Sequence, residues 1–318
     1  MTDGEPIGNR LQRGELLLLD GGTGSELQRR GIDLSKGVTD ENDGTLGAWS
    51  ATALTDAPDV VRAIHEDYLR VGADIITANS YNTNRGQLAT VGAADRMEEL
   101  SRRAVQLAVQ ARDRMNPGAY VAGSIAPTNR FPRGWDPERV APTEQLAREW
   151  GDQTAVLADA GSDLILVETM SAISQLIPAV DAARATRLPV LLGIHPTPKG
   201  TMTSGETMEQ LVAALEERMP DAILLMCRTP EDVSATLPTL RDAFSGPIGA
   251  YANTGYERSA DASASQYHTI DIGANTPDRY AEVCEEWIQM GAQIIGGCCG
   301  TTPEHIATLR PLVRGATV

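Results

Sequence analysis

The chain has 318 residues, of which 42% are hydrophobic, and a formal net charge of −16 at pH 7. A chain with this excess of acidic residues lacks the basic surface that binding to nucleic-acid phosphates requires. Its apolar runs are all too short to span a bilayer, and no charged-then-apolar leader follows Met1. We therefore expect a soluble, cytoplasmic protein that binds neither nucleic acid nor membrane. Four cysteines cannot form a disulfide framework in a chain of this length, so their thiols are expected to be reduced.

Short apolar runs alternate with helical stretches along the chain. The apolar runs predict eight buried strands: Glu15–Leu19, Asp74–Thr77, Tyr120–Ala122, Leu164–Val167, Pro189–Ile194, Ala222–Met226, Pro247–Tyr251 and Gln293–Ile295. The longest helical stretches are Asp59–Val71, Asp95–Met115, Thr143–Ala160 and Tyr280–Met290. Eight strand–helix units in about 300 residues have the count and size of a (β/α)8 barrel. The predicted fold class is α/β, with residues 1–318 as a single TIM barrel domain.

One αβ turn is repeated in the sequence. Val71–Ile76, Ala160–Ile165 and Met290–Ile295 each place a glycine at a helix end and begin a strand two residues later. The Pro- and Gly-rich segments Asn129–Pro142 and Ala252–Pro277 are too short to be domains. We predict that they are long loops at the C-terminal ends of the strands, where barrel enzymes carry their sites.

Two adjacent cysteines follow the last strand in the stretch QIIGGCCGTTPEHI. Thr302–Glu304 has the N-cap, first-position proline and early acid of a helix start, so Cys298 and Cys299 lie on a strand-to-helix turn. Neighbouring cysteines bridge to each other only through a strained ring. Between glycines that let the backbone turn, both can instead point at one metal ion. The pair therefore favours a soft-metal site.

Cys227 follows the sixth strand and precedes another helix start, Thr229–Asp232. It is therefore expected at the same end of the barrel as Cys298 and Cys299, with one strand between them. Three thiolates suit zinc, which keeps a fourth position open for a substrate when the protein supplies three ligands. The alternative is that these cysteines are small buried residues, which is the preferred interpretation for Cys284 within a helix.

A zinc ion with three thiolates is a poor Lewis acid for water but can hold a fourth, exogenous thiol as a thiolate near neutral pH. Such a thiolate attacks an electrophilic carbon, so alkyl transfer to sulfur is the predicted reaction. A zinc-holding or redox-sensing barrel protein, in which the vicinal cysteines report oxidation, is the alternative from another class. A Schiff-base aldolase is disfavoured because Lys36 and Lys199, the only lysines, lie outside the predicted strands.

With these motifs the sequence resembles the homocysteine S-methyltransferase family, which includes betaine and S-methylmethionine enzymes and the homocysteine half of methionine synthase. The resemblance covers nearly the whole chain, and Gly296–Gly300 carries its most specific motif. Four other segments match: Leu19–Leu27, Trp49–Ala51, Tyr68–Tyr81 and Glu168–Met170. The resemblance implies that Cys227, Cys298 and Cys299 bind Zn²⁺ and that the sulfur of homocysteine takes the fourth position.

Asp20 and Glu168 each end a strand at the catalytic face, where a pair of carboxylates can bind an ammonium group. The resemblance implies this role for both residues. Gly21, Gly22 and Thr23 expose backbone N–H groups in a tight turn that would suit a substrate carboxylate. Turn geometry alone would also explain the two glycines, and capping of the turn would explain Asp20.

Three further polar residues match strand ends of the family. Asn79 and Tyr81 follow the second strand and would shape the methyl-donor pocket, with core or loop packing as the alternative. Asn253 lies in a segment that resembles the family's seventh-strand end. All three are therefore candidate substrate-binding residues.

The sequence departs from the family at two places. Met226 stands where relatives usually have asparagine, and Ser124–Trp135 replaces their glycine-proline-tyrosine-glycine loop. Trp135 would either face a cationic donor or clamp the loop. The donor therefore stays open among S-methylmethionine, S-adenosylmethionine, glycine betaine and dimethylsulfoniopropionate, and the acceptor is homocysteine or a related thiol. A homo-oligomer is compatible with the sequence.

Overall fold

The computed structural model of the chain describes residues 5–36, 48–127, 138, 140–258, 268–270, 273 and 275–315. The strands are β1 (Leu17–Leu18), β2 (Ile75–Thr77), β3 (Tyr120–Ile125), β4 (Leu164–Met170), β5 (Val190–Ile194), β6 (Ala222–Met226), β7 (Ile248–Ala252), β8 (Tyr256–Arg258), β9 (His268–Ile270) and β10 (Ala292–Gly297). The helices are α1 (Ile7–Gln12), α2 (Thr23–Arg29), α3 (Ala53–Asp56), α4 (Pro58–Arg70), α5 (Arg85–Ala89), α6 (Met97–Met115), α7 (Thr143–Asp159), α8 (Ile173–Ala185), α9 (Met208–Ala214), α10 (Pro230–Ala243), α11 (Pro277–Gln289) and α12 (Pro303–Gly315).

Eight parallel strands form one sheet in the order β1-β10-β7-β6-β5-β4-β3-β2. The two ends of this order meet, because Leu19 and Ile75 form a parallel bridge. Asp20 N–H donates to Ile75 O at 3.0 Å, and Asp74 N–H donates to Leu18 O at 2.7 Å. The sheet is thus a closed ring with helices outside it, which confirms the predicted (β/α)8 barrel.

The strands are apolar on both faces because each face packs against a different part of the core. Leu17 and Leu19 belong to the cluster inside the barrel, whereas Leu18 between them belongs to the layer under the helices. Helix α1 closes the N-terminal end of the barrel, since Ile7 and Leu11 pack into the inner cluster. The open end is therefore the C-terminal one.

The eight barrel strands all fall on the predicted segments. β6 has the predicted bounds, whereas β3 and β4 run three residues further than expected, to Ile125 and Met170. In each strand the first two added residues are polar or small, Gly123–Ser124 and Glu168–Thr169, so the apolar run is interrupted before Ile125 and Met170. The segment Ala252–Pro277 was expected to be a loop but contains the antiparallel pair β8 and β9, whose three-residue strands are too short for a periodicity signal.

The repeated αβ turn is confirmed. Gly72, Gly161 and Gly291 all have positive φ, of 104°, 106° and 95°. In two of the turns the following aspartate accepts a backbone N–H from the neighbouring strand: Asp74 from Leu18 at 3.0 Å, and Asp163 from Val121 at 2.8 Å. The repeated turn therefore reverses the chain direction and, through these aspartates, also forms a hydrogen bond to the neighbouring strand.

Residues 128–135 of the predicted lid loop Ser124–Trp135, and with them Trp135, lie outside the described residues. None of the helices in the described ranges combines the length and the hydropathy that a bilayer-crossing segment needs.

We predict that Asp163→Ala lowers the free energy of unfolding by about 3–5 kcal/mol. It leaves the buried Arg112 guanidinium paired with the exposed Asp113 instead of a buried carboxylate, and it removes the acceptor of Val121 N–H. The Arg112–Asp163 pair is 2.9 Å long, with side chains only 6% and 7% exposed. Asp159→Ala is the control, since its pair with Arg102 is largely exposed and should contribute below about 1 kcal/mol. Urea unfolding measures both, and equal effects of the two substitutions would contradict the prediction.

Candidate active site

A cavity of about 320 Å³ opens where the strands end at their C-terminal side. It brings together every residue that the sequence marked as a candidate: Asp20, Gly21, Gly22, Thr23, Asn79, Tyr81, Glu168, Cys227, Asn253, Cys298 and Cys299. These residues come from the ends of six strands and the loops that follow them. The predicted location of the site thus agrees with the structure, while the binding role of each residue stays a prediction.

The three candidate metal ligands converge. The sulfur atoms of Cys227, Cys298 and Cys299 all lie within 4.8 Å of one another. A tetrahedral zinc with Zn–S bonds of about 2.3 Å separates its sulfur ligands by about 3.8 Å, so the group has the size and chemistry of a three-thiolate zinc site. Contacts with the other two sulfurs, followed by burial, raise the pKa of the Cys298 thiol. A bound cation would favour the thiolates.

Cys227 has an unusual backbone. Its φ is +58°, in the left-handed region that non-glycine residues rarely occupy. Two hydrogen bonds hold it there: its N–H donates to Tyr251 O at 3.2 Å, and Asn253 Nδ2 donates to its carbonyl at 3.0 Å. Asn253 Oδ1 also accepts from Cys299 N–H at 3.1 Å. The Asn253 amide therefore joins the two cysteine-bearing turns, in addition to lining the cavity.

Asp20 is 2% exposed and lies on the cavity wall. Its Oδ2 accepts from Thr77 N–H at 2.8 Å and its Oδ1 from Thr77 Oγ1 at 3.0 Å. Burial, with the nearby Glu168 adding to it, raises the pKa of Asp20 to about 8. A cation beside this carboxyl would restore its charge.

Glu168 is the second buried carboxyl of the cavity, at 6% exposure. Its Oε1 accepts from the Tyr251 hydroxyl at 2.9 Å, and its Oε2 accepts from the Ser124 hydroxyl. Burial raises the pKa of Glu168 to about 7. Burial also raises the pKa of Tyr251 well above its ordinary value, so this phenol remains a donor at neutral pH.

A bulge in β4 directs Glu168 into the cavity. Val167 pairs with Leu192 and Met170 with Ile194, so Glu168 and Thr169 together oppose one residue of β5. Thr169 has φ +56°, and its hydroxyl lies 2.6 Å from the Tyr81 hydroxyl. The sequence contains no pattern that predicts this bulge.

Polar groups of the remaining candidate residues already form hydrogen bonds within the protein. Gly22 N–H donates to Thr301 Oγ1 at 3.1 Å, so it is already engaged in the turn that was predicted to bind a carboxylate. Thr23 begins α2. Asn79 is buried and donates from Nδ2 to Ser50 O at 2.8 Å. Gly22, Thr23 and Asn79 therefore have structural roles in turns, helix starts and packing, in addition to lining the cavity.

Sequence reasoning did not assign roles to several residues that build the site. Thr77 anchors Asp20, while Ser124 and Tyr251 anchor Glu168. Trp49, with φ +34°, lines the cavity. The sequence does show that Thr77 and Ser124 are hydroxyl-bearing residues at the C-terminal ends of buried strands. It does not show which carboxylate each hydroxyl contacts.

Comparisons with known proteins agree with this architecture. Homocysteine S-methyltransferase 4 of Zea mays is 29% identical over 326 residues, which cover 96% of this chain and 91% of that protein. The homocysteine S-methyltransferase of Escherichia coli K12 is 29% identical over 328 residues, covering 98% and 99%. The crystal structure of the E. coli homocysteine methyltransferase MmuM in its metallated form superimposes with a TM-score of 0.79 at 26% identity, covering 97% of this chain and 100% of that one.

Nearly the whole chain matches one family of known sequences. Residues 17–313 match the homocysteine S-methyltransferase family model, a range that runs from β1 into α12 and includes every candidate site residue. The motif around Cys298 and Cys299, the ring of eight strands and this match agree. The chain belongs to the homocysteine S-methyltransferase family.

Proposed function

We propose that this chain, acting as a single barrel domain, transfers a methyl group from a sulfonium or betaine-like donor to the sulfur of homocysteine, giving methionine. Cys227, Cys298 and Cys299 would hold Zn²⁺. The observation that carries the proposal is the group of three sulfur atoms within 4.8 Å, in the same cavity as two buried carboxyls. The family membership and the metallated E. coli relative support it.

When bound, zinc supplies a thiolate form of the substrate sulfur near neutral pH. The chain's own residues do the rest. Asp20 and Glu168 bind the ammonium group of the acceptor and so fix its sulfur at the cysteine end of the cavity. The sulfur forms a bond to the methyl carbon as the donor's sulfur–carbon or nitrogen–carbon bond breaks. The donor leaves with that electron pair as a neutral thioether or amine, and the thiol proton has already been released.

A methylation assay tests the reaction and identifies the donor. Purified protein is incubated with homocysteine and, in separate reactions, with S-methylmethionine, S-adenosylmethionine, glycine betaine or dimethylsulfoniopropionate, and methionine is quantified by mass spectrometry. We expect methionine with at least one donor. Absence of product with all four, from protein shown to contain metal, would reject the proposal.

We predict that Cys299→Ser removes the metal, because a serine hydroxyl replaces one of three thiolate ligands. Elemental analysis of the unaltered protein should find about one zinc per chain. Cys284→Ser is the matched control: Cys284 is buried in α11, outside the three-cysteine group, and its loss should leave the zinc content unchanged. Thiols that oxidise and reduce reversibly without bound metal would favour the redox-sensing alternative.

We predict that Asp20→Asn raises the KM for homocysteine about tenfold or more, because a neutral amide loses the charge-assisted hydrogen bond to the ammonium group. Asp33→Asn is the control, since Asp33 is exposed and accepts hydrogen bonds from Ser35, two residues along the chain. Initial rates at varied homocysteine concentration give both values. An unchanged KM in Asp20→Asn would remove Asp20 from the proposed ammonium site.

A further inference from the structure

Both oxygens of the Glu168 carboxylate are held from the side of the barrel core. Tyr251 reaches Oε1 from β7, and Ser124 reaches Oε2 from β3. Each donor comes from a different strand, and both side chains are buried. A carboxylate bonded at both oxygens loses its freedom to rotate, and the lone pairs that remain define a fixed direction for a further donor.

Ser124 is itself fixed by a buried polar network behind the cavity. Its N–H donates to Ser80 Oγ at 3.0 Å, and its carbonyl accepts from the same hydroxyl at 2.8 Å. Gln153 Nε2 in turn donates to Ser80 O at 3.1 Å. The Ser124 hydroxyl is therefore delivered to Glu168 from a rigid support instead of a mobile side chain.

Gly193 leaves the space that Tyr251 needs. A Cβ at position 193 would lie 2.5 Å from the Tyr251 hydroxyl oxygen and 2.7 Å from Met226 Sδ. Gly193 is also the residue of β5 that faces the β4 bulge containing Glu168. Any side chain there would displace the phenol from the carboxylate.

We propose that Tyr251 and Ser124, in the space left by Gly193, are positioning residues that hold the Glu168 carboxylate for the ammonium group of the acceptor. This inference rests on the proposed function, since it assigns Glu168 to the amino end of homocysteine. It makes the three residues determinants of selectivity for amino-acid thiols over thiols that lack an amino group.

The test compares homocysteine with mercaptobutyrate, the same thiol acid without the amino group. Isothermal titration of zinc-loaded protein gives Kd for each ligand, and methylation assays give KM and kcat. Tyr251→Phe and Ser124→Ala should each raise the Kd and KM for homocysteine about tenfold, the scale of one hydrogen bond to a charged group. The values for mercaptobutyrate should stay within about twofold, because that ligand makes no use of Glu168.

Gly193→Ala displaces the Tyr251 phenol from the same carboxylate while both donors keep their hydroxyls, so it should reproduce the Tyr251→Phe pattern. Two controls match these changes. Tyr120→Phe removes a phenol hydroxyl that bonds Glu5 O, from a tyrosine of the inner cluster outside the cavity. Gly151→Ala adds a methyl group that would meet no described atom within 4 Å beyond its own stretch of helix α7. Both should leave the homocysteine and mercaptobutyrate values unchanged.

Equal losses for the two ligands, or no loss for homocysteine in Tyr251→Phe and Ser124→Ala, would overturn the inference. Either result is distinct from failure of the proposed function, in which the unaltered protein itself neither binds nor methylates homocysteine. Zinc content measured on every variant separates an effect on Glu168 from loss of the metal site.

Discussion

The register between β6, β7 and β10 is the constraint on which the site depends. Tyr251 pairs with Met226 on one side and with Gly296 on the other, so the two neighbouring strands end at the same level. The cysteines begin one residue beyond Met226 and two residues beyond Gly296. Because side chains alternate between the two faces of a strand, a slip of one residue in β6 would turn Cys227 away from the cavity. The pairing of β6 and β10 with β7 thus brings two distant sequence motifs together as one ligand group.

The electrostatics of the cavity follow from placing five acidic groups in a space of about 320 Å³. Burial raises the pKa of Asp20 to about 8 and that of Glu168 to about 7, and crowding with the other sulfurs raises that of Cys298. Each shift is a free-energy cost of ionising the group without a neighbouring cation. A divalent metal among the sulfurs and an ammonium group between the carboxyls would remove that cost. The cavity is therefore suited to two cationic partners at once.

The sequence was sufficient to predict the parts of this molecule that depend on local pattern. Apolar runs located all eight barrel strands, and the helix-start signals after Cys227 and Cys299 placed the cysteines on turns at one end of the ring. Contacts between distant residues were not predictable. The β4 bulge, and the hydroxyls of Ser124 and Tyr251 on Glu168, depend on how β3, β4, β5 and β7 pair and twist. No local periodicity records such a contact, because its partners lie 44 and 83 residues apart.

β7 contributes none of the predicted metal ligands, yet its end connects the parts of the site. The carbonyl of Tyr251 accepts from Cys227 N–H, and the carbonyl of Ala252 accepts from Cys298 N–H at 2.9 Å. Asn253 bonds both cysteine turns, and the Tyr251 side chain bonds Glu168. Three consecutive residues therefore fix the sulfur atoms and one of the carboxyls relative to each other. A change in the backbone of β7 would therefore move the cysteine sulfurs and the Glu168 carboxyl together. The distance between these groups is set by a barrel strand and not by a loop.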